Sequence, residues 1–109
     1  GFLSWMTYLA TTLYPAVLRF HYPDRYGDVD TVRTAALAEM RLVYDHIEAL
    51  PDDFLVGAKM TVADDYLYML LTWDEHLTES LSGRPKLQAI HDKVAARPSV
   101  AKVMARQDD

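Results

Sequence analysis

The chain has 109 residues, of which 50% are hydrophobic and 25% charged, the balance of a single globular domain with enough apolar matter for a core. Its net charge of −5 supplies no basic stripe to neutralise phosphates, which argues against nucleic acid, and no apolar run reaches the ~18 residues of a membrane span. There is no cysteine, so a disulfide framework, a thiolate metal site and a thiol nucleophile are excluded, and a cytoplasmic setting fits.

The chain starts at Gly1-Phe2, without an initiator Met or a signal region, and its first residues already read as helix. A piece of a longer protein is therefore expected. The first helix should run from Leu3 to Phe20, with Leu3, Met6, Ala10, Leu13, Val17 and Phe20 as its core stripe. Beside that stripe lie Thr7, Thr11, Tyr14, Leu18 and His21. Their mixed polarity suits either a half-exposed flank or a ligand-facing wall. Pro15 lies inside the helix, lacks an N–H and crowds the carbonyl four residues back, so a bend is expected between Thr11 and Tyr14.

Pro23 and Gly27 punctuate the first break, and Asp28 or Asp30 can cap a second helix that ends before Pro51. Its apolar positions are Val32, Ala36, Met40, Val43, Ile47 and Leu50, with Ala35 and Leu42 widening the stripe only in part, since Glu39 lies between them on that flank and brings its edge to water. Two consecutive helices with a short break read as an antiparallel hairpin, and Ala35, Ala36 and Ala38 permit close approach of a partner helix.

The third helix should start at Thr61, whose hydroxyl can cap it while Asp64 reaches back to the Thr61 N–H, closing a capping box. Val62, Ala63, Tyr66, Leu67, Met69, Leu70, Leu71 and Trp73 make it apolar over most of its surface, the mark of a buried central helix. Trp73-Asp74-Glu75-His76-Leu77 carries it toward Leu81. A catalytic role for Asp64 is set against the structural one. On the structural reading Thr61→Ala costs about 1 kcal/mol and Asp64→Ala as much or more. The staple position four residues into the helix is Asp65 instead of an apolar residue, so its contact with Met60 is broken or replaced. A fourth helix buries Leu87, Ile90, His91 and Val94. Pro98 opens a fifth, with Val100, Val103 and Met104 inward and a frayed Gln107-Asp108-Asp109 end.

His21, His46, His76 and His91 form no zinc motif, and the Asp-Asp pairs at 52–53 and 64–65 lack calcium-loop spacing. Asp74-Glu75-His76 reads as a solvated helix end, and no metal is expected. No nucleophile elbow or phosphate loop is present. Trp73 either packs in the core or lines a cleft with its indole N–H free to donate.

Three segments carry a family resemblance. Phe54-Leu55-Val56-Gly57, Met60-Thr61-Val62-Ala63-Asp64 and Tyr66-Leu67 together resemble the capping-box segment of the C-terminal domain of glutathione transferases. Val94-Ala95-Ala96-Arg97-Pro98-Ser99-Val100 resembles that domain's closing helix turn, and Ala10-Thr11-Thr12-Leu13-Tyr14-Pro15-Ala16 its first helix in bacterial members. The segments come in the family's order and span nearly the whole chain.

The resemblance implies an all-α bundle of five to six helices, with residues 1–109 as the C-terminal domain. The thioredoxin-like domain that holds most of the glutathione is absent from these residues, which show no βαβ pattern. It implies conjugation or reduction of small apolar electrophiles, with glutathione as co-substrate and this half supplying the acceptor's wall. The fragment alone is expected to be inactive. Thr7, Tyr14, Leu18, His21 and Trp73 are the substrate-binding candidates, with Tyr8 and Tyr66 behind them; Thr61 and Asp64 are the structural cap. A homodimer through the first two helices follows from the same likeness. The alternative it leaves open is a non-catalytic interaction module of the same fold.

Overall fold

The computed structural model describes residues 1–97. Its helices are α1 (Phe2–Tyr8), α2 (Tyr14–His21), α3 (Val29–Glu48), α4 (Val62–Leu71), α5 (Leu77–Leu81) and α6 (Pro85–Ala95), with a π-helical turn at Leu9–Leu13 and a 3₁₀ turn at Pro23–Arg25. No strand is found among the described residues; one isolated bridge pairs Phe54 with Gly57. The expected fifth helix with Val100, Val103 and Met104, and the frayed end, lie outside the described residues.

Pro15 explains the path of the first helix. It has no N–H to give to Thr11, and the chain meets this with a π turn instead of a simple bend: the Tyr14 N–H bonds to Leu9 O, five residues back. A π turn takes up one extra residue and re-phases everything before it. The core stripe is therefore Leu9, Leu13, Ala16, Val17 and Phe20, all fully buried. Ala10 is exposed, Leu3 is 78% exposed and Met6 is only half-buried, so the N-terminal half of the expected stripe is corrected by one position.

α3 follows its periodicity more closely. Asp28, not Asp30, is its N-cap, accepting from Thr31 N at 3.0 Å and Thr31 Oγ1 at 2.8 Å. These two bonds hold the Asp28 carboxyl below its ordinary range. Ala36, Met40, Val43 and Ile47 are buried as the spacing requires, and Tyr44 joins them with no exposure at all. The flank that carries Glu39 meets water as expected, and it takes Ala35 and Leu42 with it: both are exposed, Leu42 to 68%, and add nothing to the stripe.

α4 packs on α6 and against the first helical segment. Ala63, Leu67, Leu70 and Leu71 enter the common core with Leu87, Ile90 and Val94 of α6, while Val62 and Met69 form an exposed edge. The helix stops at Leu71 and does not run on to Leu81. Thr72 turns its hydroxyl onto Met69 O at 2.6 Å, and Asp74 opens the next turn by accepting from His76 N at 2.8 Å, a side-chain turn that competes with continued helix. His91 lies at the half-buried edge of α6, against Tyr68, with ring centroids 5.1 Å apart.

Candidate functional site

Tyr14, Leu18 and His21 follow one another at spacings of four and three along α2, which places them on one face of the helix. Tyr14 is 40% exposed and Leu18 half-buried. Trp73 comes from the turn after α4 and meets His21, with ring centroids 5.0 Å apart and planes tilted by 51°. His21 also stands edge-on to Tyr22 at 4.8 Å. Tyr66 of α4 is close enough to Tyr14 to feel its charge: partial burial first, and Tyr14 second, raise the Tyr66 phenol above its ordinary range. Tyr14, Leu18 and His21 thus form a partly exposed face of α2 that Trp73 joins at its His21 end. Trp73, at 38% exposure, is not a core residue.

Thr7 sits apart from this face. It is exposed and lines a shallow groove with Leu3, Ser4, Tyr8 and Thr11. The π turn between Thr7 and Tyr14 breaks the register that a uniform helix would give them. The Thr11 hydroxyl is bound back to Thr7 O at 2.7 Å. Tyr8 turns toward α3 and forms a three-ring cluster with Trp5 and His46, at centroid distances of 5.4 to 5.6 Å.

Asp64 is fully buried, and both of its oxygens are used. Oδ2 accepts from Thr61 N at 2.8 Å and Oδ1 from Leu55 N at 3.1 Å, while Thr61 Oγ1 accepts from Ala63 N at 3.3 Å. The carboxylate thus closes the capping box and ties the preceding loop to the helix head. That loop folds back through Gly57, at φ +82°, where the Phe54 N–H reaches Gly57 O at 3.1 Å. Both oxygens of the buried Asp64 carboxylate are engaged by backbone donors, the arrangement of a capping box.

A family model described as glutathione S-transferase, C-terminal domain, matches residues 33–107. The chain belongs to this family. It is 29% identical over 106 residues to the glutathione S-transferase GstA of Escherichia coli O157:H7, a match that covers 96% of this chain and 52% of that protein. Its fold superposes on a glutathione transferase homologue from Sulfitobacter, solved with bound glutathione, with a TM-score of 0.77 at 24% identity, over 95% of this chain and 53% of the other. The chain thus spans about half the length of these relatives.

Two features of this glutathione S-transferase domain join residues far apart in the chain. At the staple position, Asp65 is held by Arg97 Nη1 at 2.6 Å, and the same nitrogen lies 3.6 Å from Met60 Sδ. An arginine just past α6 therefore bridges the two residues that an apolar staple would join. The second feature is Asp74. It is not a solvated helix-end acid: it is 4% exposed and accepts from Tyr44 Oη at 3.0 Å and Ser80 Oγ at 2.8 Å, besides His76 N. Among the described residues no group of three His, Asp or Glu is placed to hold a metal. The signal for Asp74 lay in Tyr44, which falls at core spacing between Met40 and Ile47 and, once buried, needs an acceptor.

Burial, and then the neighbouring Asp74 carboxylate, push the Tyr44 phenol far above its ordinary range. In the unfolded chain a tyrosine ionises near pH ~10. The fold excludes the phenolate, so this contribution is complete below about pH 10 and is lost as pH climbs above it. Stability should fall above about pH 10 by up to about 1.4 kcal/mol per unit. Urea melts across this range on a Tyr44→Phe variant should show most of that slope gone, with a smaller remainder from Tyr66.

Proposed function

We propose that this chain is the C-terminal half of a glutathione transferase and supplies the wall against which a small apolar electrophile is held. The observation that carries the reading is the juxtaposition of Tyr14, Leu18, His21 and Trp73 on a face shared by α2 and the α4–α5 turn. These side chains and Thr7 offer flat apolar surface with hydroxyl, imidazole and indole groups at the edges, and none carries a fixed positive charge. The set suits an apolar acceptor better than the carboxylates of a peptide, so glutathione would be held mainly by a thioredoxin-like domain outside these residues. Glutathione supplies the thiolate that attacks the acceptor or reduces it. The wall's part is to exclude water from the acceptor and orient it for that attack. The family match and the glutathione-bound neighbour support this reading.

The proposal includes a homodimer formed through the first helical segment and α3, which present Phe2, Leu3 and Leu42 on their outer surfaces, and a cytosolic setting, where glutathione keeps thiols reduced. The competing reading is a non-catalytic interaction module, for which the exposed Val62 and Met69 of α4 would serve as a docking edge.

The test uses fluorescence of the chain titrated with 1-chloro-2,4-dinitrobenzene, which has no cysteine here to label. Saturable quenching is expected, with no turnover of added glutathione. Trp73→Phe should remove the saturable part, leaving Trp5 unaffected. Tyr14→Ala should weaken binding about fivefold, the worth of one aromatic contact. Quenching that survives in Trp73→Phe, or that never saturates, would refute the wall.

A further inference from the structure

Outside the aromatic wall, a second cleft of about 420 Å³ runs along α3, within the size range of small-molecule sites. Its floor on α3 is Arg33, Thr34, Leu37, Ala38 and Arg41, and the opposite side is Phe20 and His76. None of the wall residues lines it. Arg33 and Arg41 are eight residues apart on one helix, which sets their backbones about 12 Å apart along the axis. Leu37, one turn from each, lies between them.

Each guanidinium is anchored through one nitrogen. Arg33 Nε donates to Phe20 O at 3.2 Å, with the group 5.6 Å from the Phe20 ring centre. Arg41 Nε lies 3.4 Å from Ser80 Oγ, on α5. The two anchors are on different elements, and so they hold the two cations toward separate ends of the cleft. Among the described residues, neither arginine's Nη atoms have a hydrogen-bond partner. On α3, Glu39 is paired with Arg19 and Asp45 with Arg84; Asp30 lies one turn before Arg33, and the buried Asp74 carboxylate stands behind the Ser80 hydroxyl that Arg41 touches, and neither acid lines the cleft. The His76 ring stands 6.0 Å from that of Phe20. In a chain of net charge −5, this is an apolar-floored slot with one guanidinium toward each end.

We infer that this cleft binds an elongated dianion: two carboxylates joined by an apolar spacer of about 10 Å, each end meeting one guanidinium through charge-assisted hydrogen bonds. The spacer lies over Leu37 and Ala38, beside His76. A monoanion satisfies one end only, and a short dianion cannot reach both.

The probe is nonanedioate, titrated into the chain by calorimetry beside nonanoate and butanedioate. Nonanedioate should bind at least about tenfold more tightly than either, the worth of one charge-assisted bond. Arg33→Gln and Arg41→Gln should each abolish that preference. Because Arg41 also touches Ser80, a third variant, Thr34→Glu, tests the site without removing an internal bond: it places a carboxylate on the exposed floor and should lower nonanedioate affinity at least about tenfold with an unchanged melt. Equal binding of nonanoate and nonanedioate, or no saturation up to about 10 mM, would overturn the inference. So would a concentration-dependent dimer that the two arginine variants dissociate, since the slot's occupant would then be a second copy of the chain.

Discussion

Asp64→Ala should lower the stability of the chain by about 2–4 kcal/mol, well beyond the effect of Thr61→Ala at about 1 kcal/mol. The difference follows from what each side chain satisfies. Thr61 Oγ1 accepts from Ala63 N, one of the orphan donors of the first turn. Asp64 accepts from two backbone donors at once, Thr61 N and Leu55 N. Leu55 is 4% exposed, so its N–H has no water to turn to when the carboxylate is removed. Asp64→Asn keeps one carbonyl oxygen and should fall between the two. Urea melts followed by circular dichroism read all three. A result in which Asp64→Ala costs no more than Thr61→Ala would show that the Leu55 bond contributes nothing and that the loop is held by packing alone.

Asp74→Ala should be the most damaging single change, at about 3–5 kcal/mol. Tyr44 and Ser80 have no solvent exposure, and both donate to Asp74 Oδ2. Removing the carboxylate leaves two buried hydroxyls without an acceptor and releases His76 N from the turn. Tyr44→Phe should cost less, because Asp74 retains Ser80 and His76. The double variant should cost less than the sum of the singles, since the Tyr44–Asp74 bond is counted in both. Asp74 directly follows Trp73 and fixes the turn that carries it. The Asp74→Ala variant should therefore also show a red-shifted Trp73 emission in the folded baseline, measured in a Trp5→Phe background. An unchanged emission would show that the indole is held by His21 alone.

How much of this was legible beforehand differs from helix to helix. On α3, burial follows the spacing of Ala36, Met40, Val43 and Ile47, because an uninterrupted helix repeats its faces faithfully. The head of α4 was legible for another reason: a capping box is a contact between residues three apart, and local geometry alone completes it. Pro15 announced a disturbance, but not its form. A kink and a π turn both relieve a missing N–H, and only the packing of Leu9 and Leu13 into the core selects the turn that buries Leu9 and exposes Ala10.

The candidate wall was legible in part. Tyr14, Leu18 and His21 share a face by spacing, yet the contact of His21 with Trp73 joins residues 52 positions apart. Thr7 was grouped with them on the assumption of a uniform helix, and the π turn sets it in another groove.

By itself, then, the order of residues determined the helical class, the family, the start of α4 and the buried face of α3. Each of these depends on periodicity or on contacts between near neighbours, which backbone geometry dictates wherever the helix lies. The tertiary structure alone decided the burial of Asp74 under Tyr44 and Ser80, the Arg97 bridge between Met60 and Asp65, and the pairing of Trp73 with His21. These join side chains 6 to 52 residues apart in the chain. Their partners are chosen by how whole helices dock, a choice made by the summed burial of the core and not by any local pattern.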